Sequence, residues 1–193
     1  TSPRTPYQKS KLSAERVVLA SGLPAVIARP AWAYGVGSRS TEKLFRAVAR
    51  RRMAIVGDGR NETQPIEIAD LVDGLLRCAS TEGAAGQIYH FAGPRPISIE
   101  ELLREIAVAV GVPPPCLRIP MSAAVAAAGF FEWVYPRALG RPPIDRGRLE
   151  FFRVWHAYSL EKSRRELGWQ PATEFPEGAQ RVARELRARR MLT

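Results

Sequence analysis

The sequence is poor in the residues that build metal centres and disulfides, with two cysteines and two histidines in 193 residues. Cys78 and Cys116 have no metal-binding spacing, so the expectation is a reducing, cytoplasmic compartment and no disulfide. His90 and His156 lack metal-like neighbours and read as a strand histidine and a surface or interface histidine. Long apolar runs are also missing. The longest, Ile119 to Tyr135, is broken by Pro120, Ser122, Gly129 and Glu132, which argues against a spanning helix; the expectation is a core or dimer helix, with a greasy helix over a substrate mouth or against a membrane surface as the alternative. No charged-then-apolar signal segment opens these residues. Nor do they contain a glycine-rich strand-to-helix turn that would seat a pyrophosphate on a helix N-terminus.

Lysine is scarce as well. The 29 basic residues are nearly all Arg and outnumber 19 acidic ones, giving a formal net charge of +10. They are scattered over expected helices apart from Arg50-Arg51-Arg52 and the tail Arg187, Arg189 and Arg190. Neither cluster is interleaved with aromatics for base stacking, so nucleic acid is not the expected partner. With 46% hydrophobic and 25% charged residues, the composition is that of a globular protein with one substantial core.

What the sequence does have begins at Thr5-Pro6-Tyr7-Gln8-Lys9-Ser10-Lys11. Thr5 suits a helix cap, Pro6 the first helical position, and Gln8 the capping-box position three residues on. Tyr7 and Lys11 then lie at i and i+4 on one face, continued by Ala14, Glu15 and Val18. A phenol ionises near pH ~10, so using the phenolate near pH ~7 costs roughly 4 kcal/mol. One ammonium about 4 Å away, at an effective dielectric of about 20, supplies about that much. Such a pair can move a proton to or from a substrate oxygen.

Further along, Leu23 to Ala28 reads as a buried parallel strand, and Arg29-Pro30-Ala31-Trp32-Ala33-Tyr34-Gly35 carries the chain from strand to loop. In open α/β sheets, ligands sit at the carboxyl ends of strands, which puts this loop beside a cofactor or substrate. Thr41 to Arg52 reads as a helix, Met53 to Val56 as a strand, and Gly57 to Asn61 as a turn. Ile66 to Leu71 leads from a strand into a helix capped by Asp70, and Gln87 to Gly93 is a further strand. Ser98-Ile99-Glu100-Glu101 is a second capping box, opening a helix that runs to Gly111.

The Y-x-x-x-K motif followed by the R-P-x-x-x-Y-G strand end resembles the extended short-chain dehydrogenase/reductase family, which includes NAD-dependent epimerases and dehydratases. The glycine turn, the I-x-D-L element at Ile68 to Leu71, and the closing stretch from Tyr158 to Pro171 extend the resemblance over the whole chain. It implies an α/β fold: the C-terminal portion of a Rossmann-type NAD(P)-binding fold with a small mixed substrate-binding subdomain. By the same resemblance Tyr7 is the proton-transfer residue, and Lys11 is its electrostatic partner and the ligand of the nicotinamide ribose. The backbone around Pro30, Ala31 and Trp32 lies against the nicotinamide, and the cofactor is NAD or NADP.

Two departures from the family pattern shape the functional expectation. The glycine-rich dinucleotide turn is missing, so residues 1–193 look like the C-terminal part of one longer domain, and activity is expected of that longer chain. The Arg with which nucleotide-sugar enzymes grip a diphosphate is replaced by Thr63, followed by Gln64, while Arg39 and Arg60 are candidate displaced clamps. The segment from Pro120 to Tyr135, with Gly140 to Ile144, resembles the 3β-hydroxysteroid dehydrogenase-like branch, which implies an apolar small-molecule substrate. Left open are a nucleotide-sugar epimerase or dehydratase and a non-catalytic substrate-domain module. A homodimer is compatible with the resemblance.

Overall fold

The computed structural model describes residues 5–135, 149 and 157–192. Gly140 to Ile144 and His156, both singled out above, lie outside the described residues. Helix α1 (Pro6–Ala20) opens on the expected capping box: the Gln8 amide donates to Thr5 Oγ1 (3.2 Å) and the Thr5 amide to Gln8 Oε1 (3.1 Å). Strand β1 (Ile27–Pro30) starts four residues later than expected. Pro24 has no N–H to give, and the Ala25 amide turns back to the Leu23 carbonyl (2.8 Å), so pairing begins only at Ile27.

The next elements are β2 (Ala33–Tyr34), α2 (Arg39–Ala49), β3 (Ile55–Val56), β4 (Glu62–Thr63), β5 (Ile66–Glu67) and α3 (Ile68–Ser80). After them come β6 (Ile88–Phe91), β7 (Ile97–Ser98), α4 (Ile99–Val110), β8 (Arg118–Ile119) and α5 (Met121–Val134). Two helices follow position 157, here α6 (Glu161–Leu167) and α7 (Phe175–Ala188).

Three strand pairs are parallel, β1 with β6, β2 with β5 and β3 with β8, and β4 with β7 is antiparallel. The β1–β6 register runs from Ile27 opposite Ile88 to Pro30 opposite Phe91. Parallel strands joined through helices are the α/β arrangement expected from the sequence.

Two of the three apolar clusters among the described residues hold this framework together, the third being Ala124 and Ala128 of α5 with Leu149. In one, α2 supplies Phe45 and Val48, α4 supplies Leu102, Leu103 and Ile106, and α7 supplies Val182 and Leu186, each set at helical spacing. Ser98 caps α4, its Oγ accepting from the Glu101 amide (3.0 Å), and Gly111 ends it in the left-handed region at φ 78°. The second core joins Tyr89 and Phe91 of β6 to Ile66, Leu71, Leu167 and Trp169.

Gly93, at the end of β6, abuts the other backbone of this junction: a Cβ there would overlap the Pro65 carbonyl oxygen. Because backbone cannot swing aside as a side chain can, Gly93→Ala is expected to cost about 1–3 kcal/mol. The check is a lower urea midpoint with an unchanged slope.

Candidate active site

Helix α1 carries the candidate pair on its first exposed turn. Tyr7 is 70% exposed, and Lys11 Nζ lies 5.6 Å from the centre of its ring. Ser10 donates to the Tyr7 carbonyl (2.8 Å), so its hydroxyl serves the helix backbone. The helix buries no side chain completely, and Leu12 and Glu15 are its half-buried members. Glu15 meets Arg29 of β1 in a two-pronged ion pair, Nε to Oε1 at 2.9 Å and Nη2 to Oε2 at 2.5 Å. The guanidinium holds the Glu15 carboxyl below the usual carboxylate range despite partial burial, and Glu15 raises Arg29 in return.

Arg29 leads directly into the loop at the carboxyl end of β1. Pro30 is exposed and closes the strand, the Ala31 amide donates to the Phe91 carbonyl (2.7 Å), and the Trp32 carbonyl accepts from the Ile66 amide (3.0 Å). The Trp32 ring leans on Tyr34 at 6.0 Å. Tyr7 and Lys11 therefore share one turn of α1, Pro30, Ala31 and Trp32 share one loop, and the Glu15–Arg29 pair links the two segments. Sequence reasoning noted both residues of that pair but did not join them. The available signal was a lone Arg at the end of an apolar strand, with an acid one turn beyond Lys11.

Other residues around the site are structural. Tyr34 is buried, and that burial, followed by the negative potential of Glu67, drives its phenol above the ordinary range, so it stays protonated. His90 lies opposite Arg29 in the strand register, with its ring 5.6 Å from Tyr158. Burial and then Arg29 lower its pKa, and it stands in the strand as expected. Asp70 does not cap α3. Glu67 does, its Oε2 accepting from the Ala69 amide (2.5 Å), because the helix starts at Ile68 and leaves Asp70 inside its first turn. The Asp70 carboxylate instead accepts from the Thr173 amide (2.9 Å).

The position at which the sequence pattern led to the expectation of a diphosphate clamp is buried. Thr63 is buried, and Gln64 is 2% exposed with both ends of its amide engaged. Its Nε2 donates to the Gly93 carbonyl (2.7 Å), and its Oε1 accepts from the Tyr158 amide (2.8 Å). Arg39 and Arg60 are exposed. Helix α5 departs from a plain core helix: Ala124 and Ala128 are buried, whereas Phe130 and Trp133 are 59% and 82% exposed. Among the described residues no cluster of His, Cys, Asp or Glu can hold a metal, and no helix is long and apolar enough to cross a membrane.

Residues 1–130 match the RmlD substrate binding domain, well over half of the chain. The chain belongs to that family. The RmlD-type domain lies within the short-chain dehydrogenase/reductase superfamily of NAD-dependent epimerases and dehydratases, the group that the Tyr7–Lys11 motif resembles. A 2-alkyl-3-oxoalkanoate reductase of Stenotrophomonas maltophilia is 32% identical over 189 residues, covering 93% of this chain and 57% of the relative. The chain thus spans little more than half the length of that protein. Among solved structures, PA4631, a nucleoside-diphosphate-sugar epimerase from Pseudomonas aeruginosa, superposes with a TM-score of 0.77 at 25% identity, over 100% of this chain and 58% of that one. The dTDP-glucose 4,6-dehydratase of Bacillus anthracis, solved with NAD, shares the fold at 20% identity and a TM-score of 0.70, over 97% of this chain and 53% of its own.

Proposed function

We propose that this RmlD-type chain is the acid/base and substrate side of an NAD- or NADP-dependent oxidoreductase acting on the hydroxyl or ketone of an apolar, 3β-hydroxysteroid-like or alkyl substrate. The observation that carries the reading is the stacking of the Lys11 ammonium on Tyr7, at the exposed, capped start of α1. Residues 1–193 are then the C-terminal part of one extended domain, and the glycine-rich half that holds the pyrophosphate lies outside them.

The residues present fit the nicotinamide end of such a cofactor and not its phosphates. Lys11 offers an ammonium to a ribose, whereas no glycine-rich turn is available for pyrophosphate. When bound, the cofactor supplies or accepts the hydride at the substrate carbon. Tyr7 Oη gives a proton to the substrate oxygen in reduction and takes it back in oxidation. Lys11 lowers the cost of the negative charge that Tyr7 bears in between. Pro30, Ala31 and Trp32 form the wall at the strand end, against which a nicotinamide ring would rest.

An apolar substrate is favoured by the loss of the clamp. A diphosphate would need a cation where Thr63 and Gln64 are buried and occupied. The reductase relative from Stenotrophomonas, whose named substrate is an alkyl oxo acid, supports the same direction. A nucleotide-sugar epimerase or dehydratase is the second reading, favoured by the similarity to PA4631.

The test is an assay of the full-length protein with reduced NAD or NADP, offering a 2-alkyl-3-oxo acid and a nucleotide diphosphate sugar side by side. Cofactor oxidation with the oxo acid alone is the expected result. Conversion of the sugar nucleotide alone moves the assignment to the second reading, and inertness toward both leaves a non-catalytic substrate-domain module.

A further inference from the structure

Lys11 and Glu15 stand four residues apart on α1, a spacing that lets an ammonium and a carboxylate meet, in the Lys-before-Glu order that is the weaker of the two. They do not pair here. Both Glu15 oxygens are taken by Arg29, the pair is shielded with 26% and 19% of the Arg29 and Glu15 side chains exposed, and the Lys11 ammonium sits over Tyr7. A forked guanidinium outcompetes an ammonium for a carboxylate, because it makes two aligned charged hydrogen bonds at once.

We propose that Arg29 is a positioning residue for the Tyr7–Lys11 site: by holding both oxygens of Glu15, it withholds that carboxylate from Lys11 and leaves the ammonium to Tyr7. This rests on the proposed roles of Tyr7 and Lys11. Without Arg29, the Glu15 carboxylate becomes the nearest anion to Lys11 on its own face of α1. An ammonium drawn one turn along the helix toward Glu15 moves away from Tyr7, and its positive potential is partly cancelled.

Few groups compete with this assignment. Facing Glu15 from the sheet are Arg29 on β1 and His90 on β6. Burial, then the Arg29 charge, lower the pKa of His90 and favour its neutral form, so it is uncharged in the alkaline range. Tyr158, beside His90, is held protonated by its own burial. Neither group is an anion that could draw Lys11 away.

The test is the pH profile of alcohol oxidation by the full-length protein, with Lys11→Met as the control. Arg29→Gln is expected to move the midpoint of the rising limb upward by about one pH unit. The double variant Glu15→Gln/Arg29→Gln lacks the competing carboxylate and is expected to return to within about 0.2 pH units of the wild-type midpoint, whatever its kcat. A purely structural role for Arg29 would instead leave both variants alike. An unmoved midpoint in Arg29→Gln, or a shift that persists in the double variant, overturns the proposal.

If Arg29→Gln does not fold, Glu15→Gln decides. Its midpoint should stay at or below the wild-type value, and a rise overturns the proposal. Failure of Lys11→Met to move the midpoint would remove the Tyr7–Lys11 reading itself, and the role of Arg29 with it. A shift in Lys11→Met but not in Arg29→Gln removes the role of Arg29 alone.

Discussion

Tyr7→Phe in the full-length protein is expected to lower kcat by about a hundred- to ten-thousand-fold, the usual contribution of one positioned acid or base. The substitution removes the Oη proposed to exchange the substrate proton and keeps the ring over which Lys11 sits. Cofactor affinity should therefore change little, and KM for the substrate should move far less than kcat. Because Tyr7 is 70% exposed on a helix that buries no side chain completely, the thermal midpoint should stay near that of the wild type. That separates a chemical defect from a folding defect. Turnover close to normal in Tyr7→Phe would take the proton-transfer role away from this residue.

Trp169→Ala should produce the largest loss of stability, about 3–5 kcal/mol, typical of emptying a buried aromatic site. Trp169 is fully buried, packs edge-on against Phe91 with ring centres 4.8 Å apart, and donates its Nε1–H to the Asp70 carbonyl (3.1 Å). Gly74 on α3 leaves room for this contact, since a Cβ there would overlap the Phe91 ring and press on Trp169. One indole thus fastens the C-terminal segment to the helix behind β6, the strand that pairs with Arg29 and Pro30. Trp169→Phe keeps much of the packing but leaves the Asp70 carbonyl without this donor, so it should cost less, about 1–3 kcal/mol. Chemical denaturation of both variants checks this. Equal costs would mean that the ring volume is not what matters.

The parts of the fold that were legible in the sequence are those fixed by short-range chemistry. Thr5 with Gln8, and Ser98 with Glu101, announced two helix starts because a side chain and a backbone amide three residues apart can satisfy each other locally. Gly111 marked a helix end because the left-handed conformation there suits a residue without a Cβ. The apolar run before Pro30 and the stretch from Gln87 to Gly93 located the two strands of the β1–β6 pair, though not the start of β1.

What could not be read depends on pairings across the fold. The capping role passed from Asp70 to Glu67 once β5 was short enough for α3 to begin at Ile68, and Asp70 was drawn to Thr173, 103 positions away. Gln64 looked like a substitute in a ligand site but is a buried bracket between Gly93 and Tyr158. The aromatic end of α5 left a core or dimer helix and an exposed, surface-covering helix both open, because apolar residues look the same whether a surface covers them or not; in the structure Phe130 and Trp133 are exposed. Glu15 and Arg29 illustrate the same limit inside the candidate site: each lay in a motif that was quoted, but only the approach of α1 to β1 makes them partners.

The most direct measurement is calorimetric titration of NAD and of NADP into the 193-residue chain and into the full-length protein. Binding by the full-length protein alone is the predicted result, since residues 1–193 hold the lysine proposed for the ribose and the strand end proposed for the nicotinamide but no glycine-rich pyrophosphate turn. Binding by neither would contradict the proposed function.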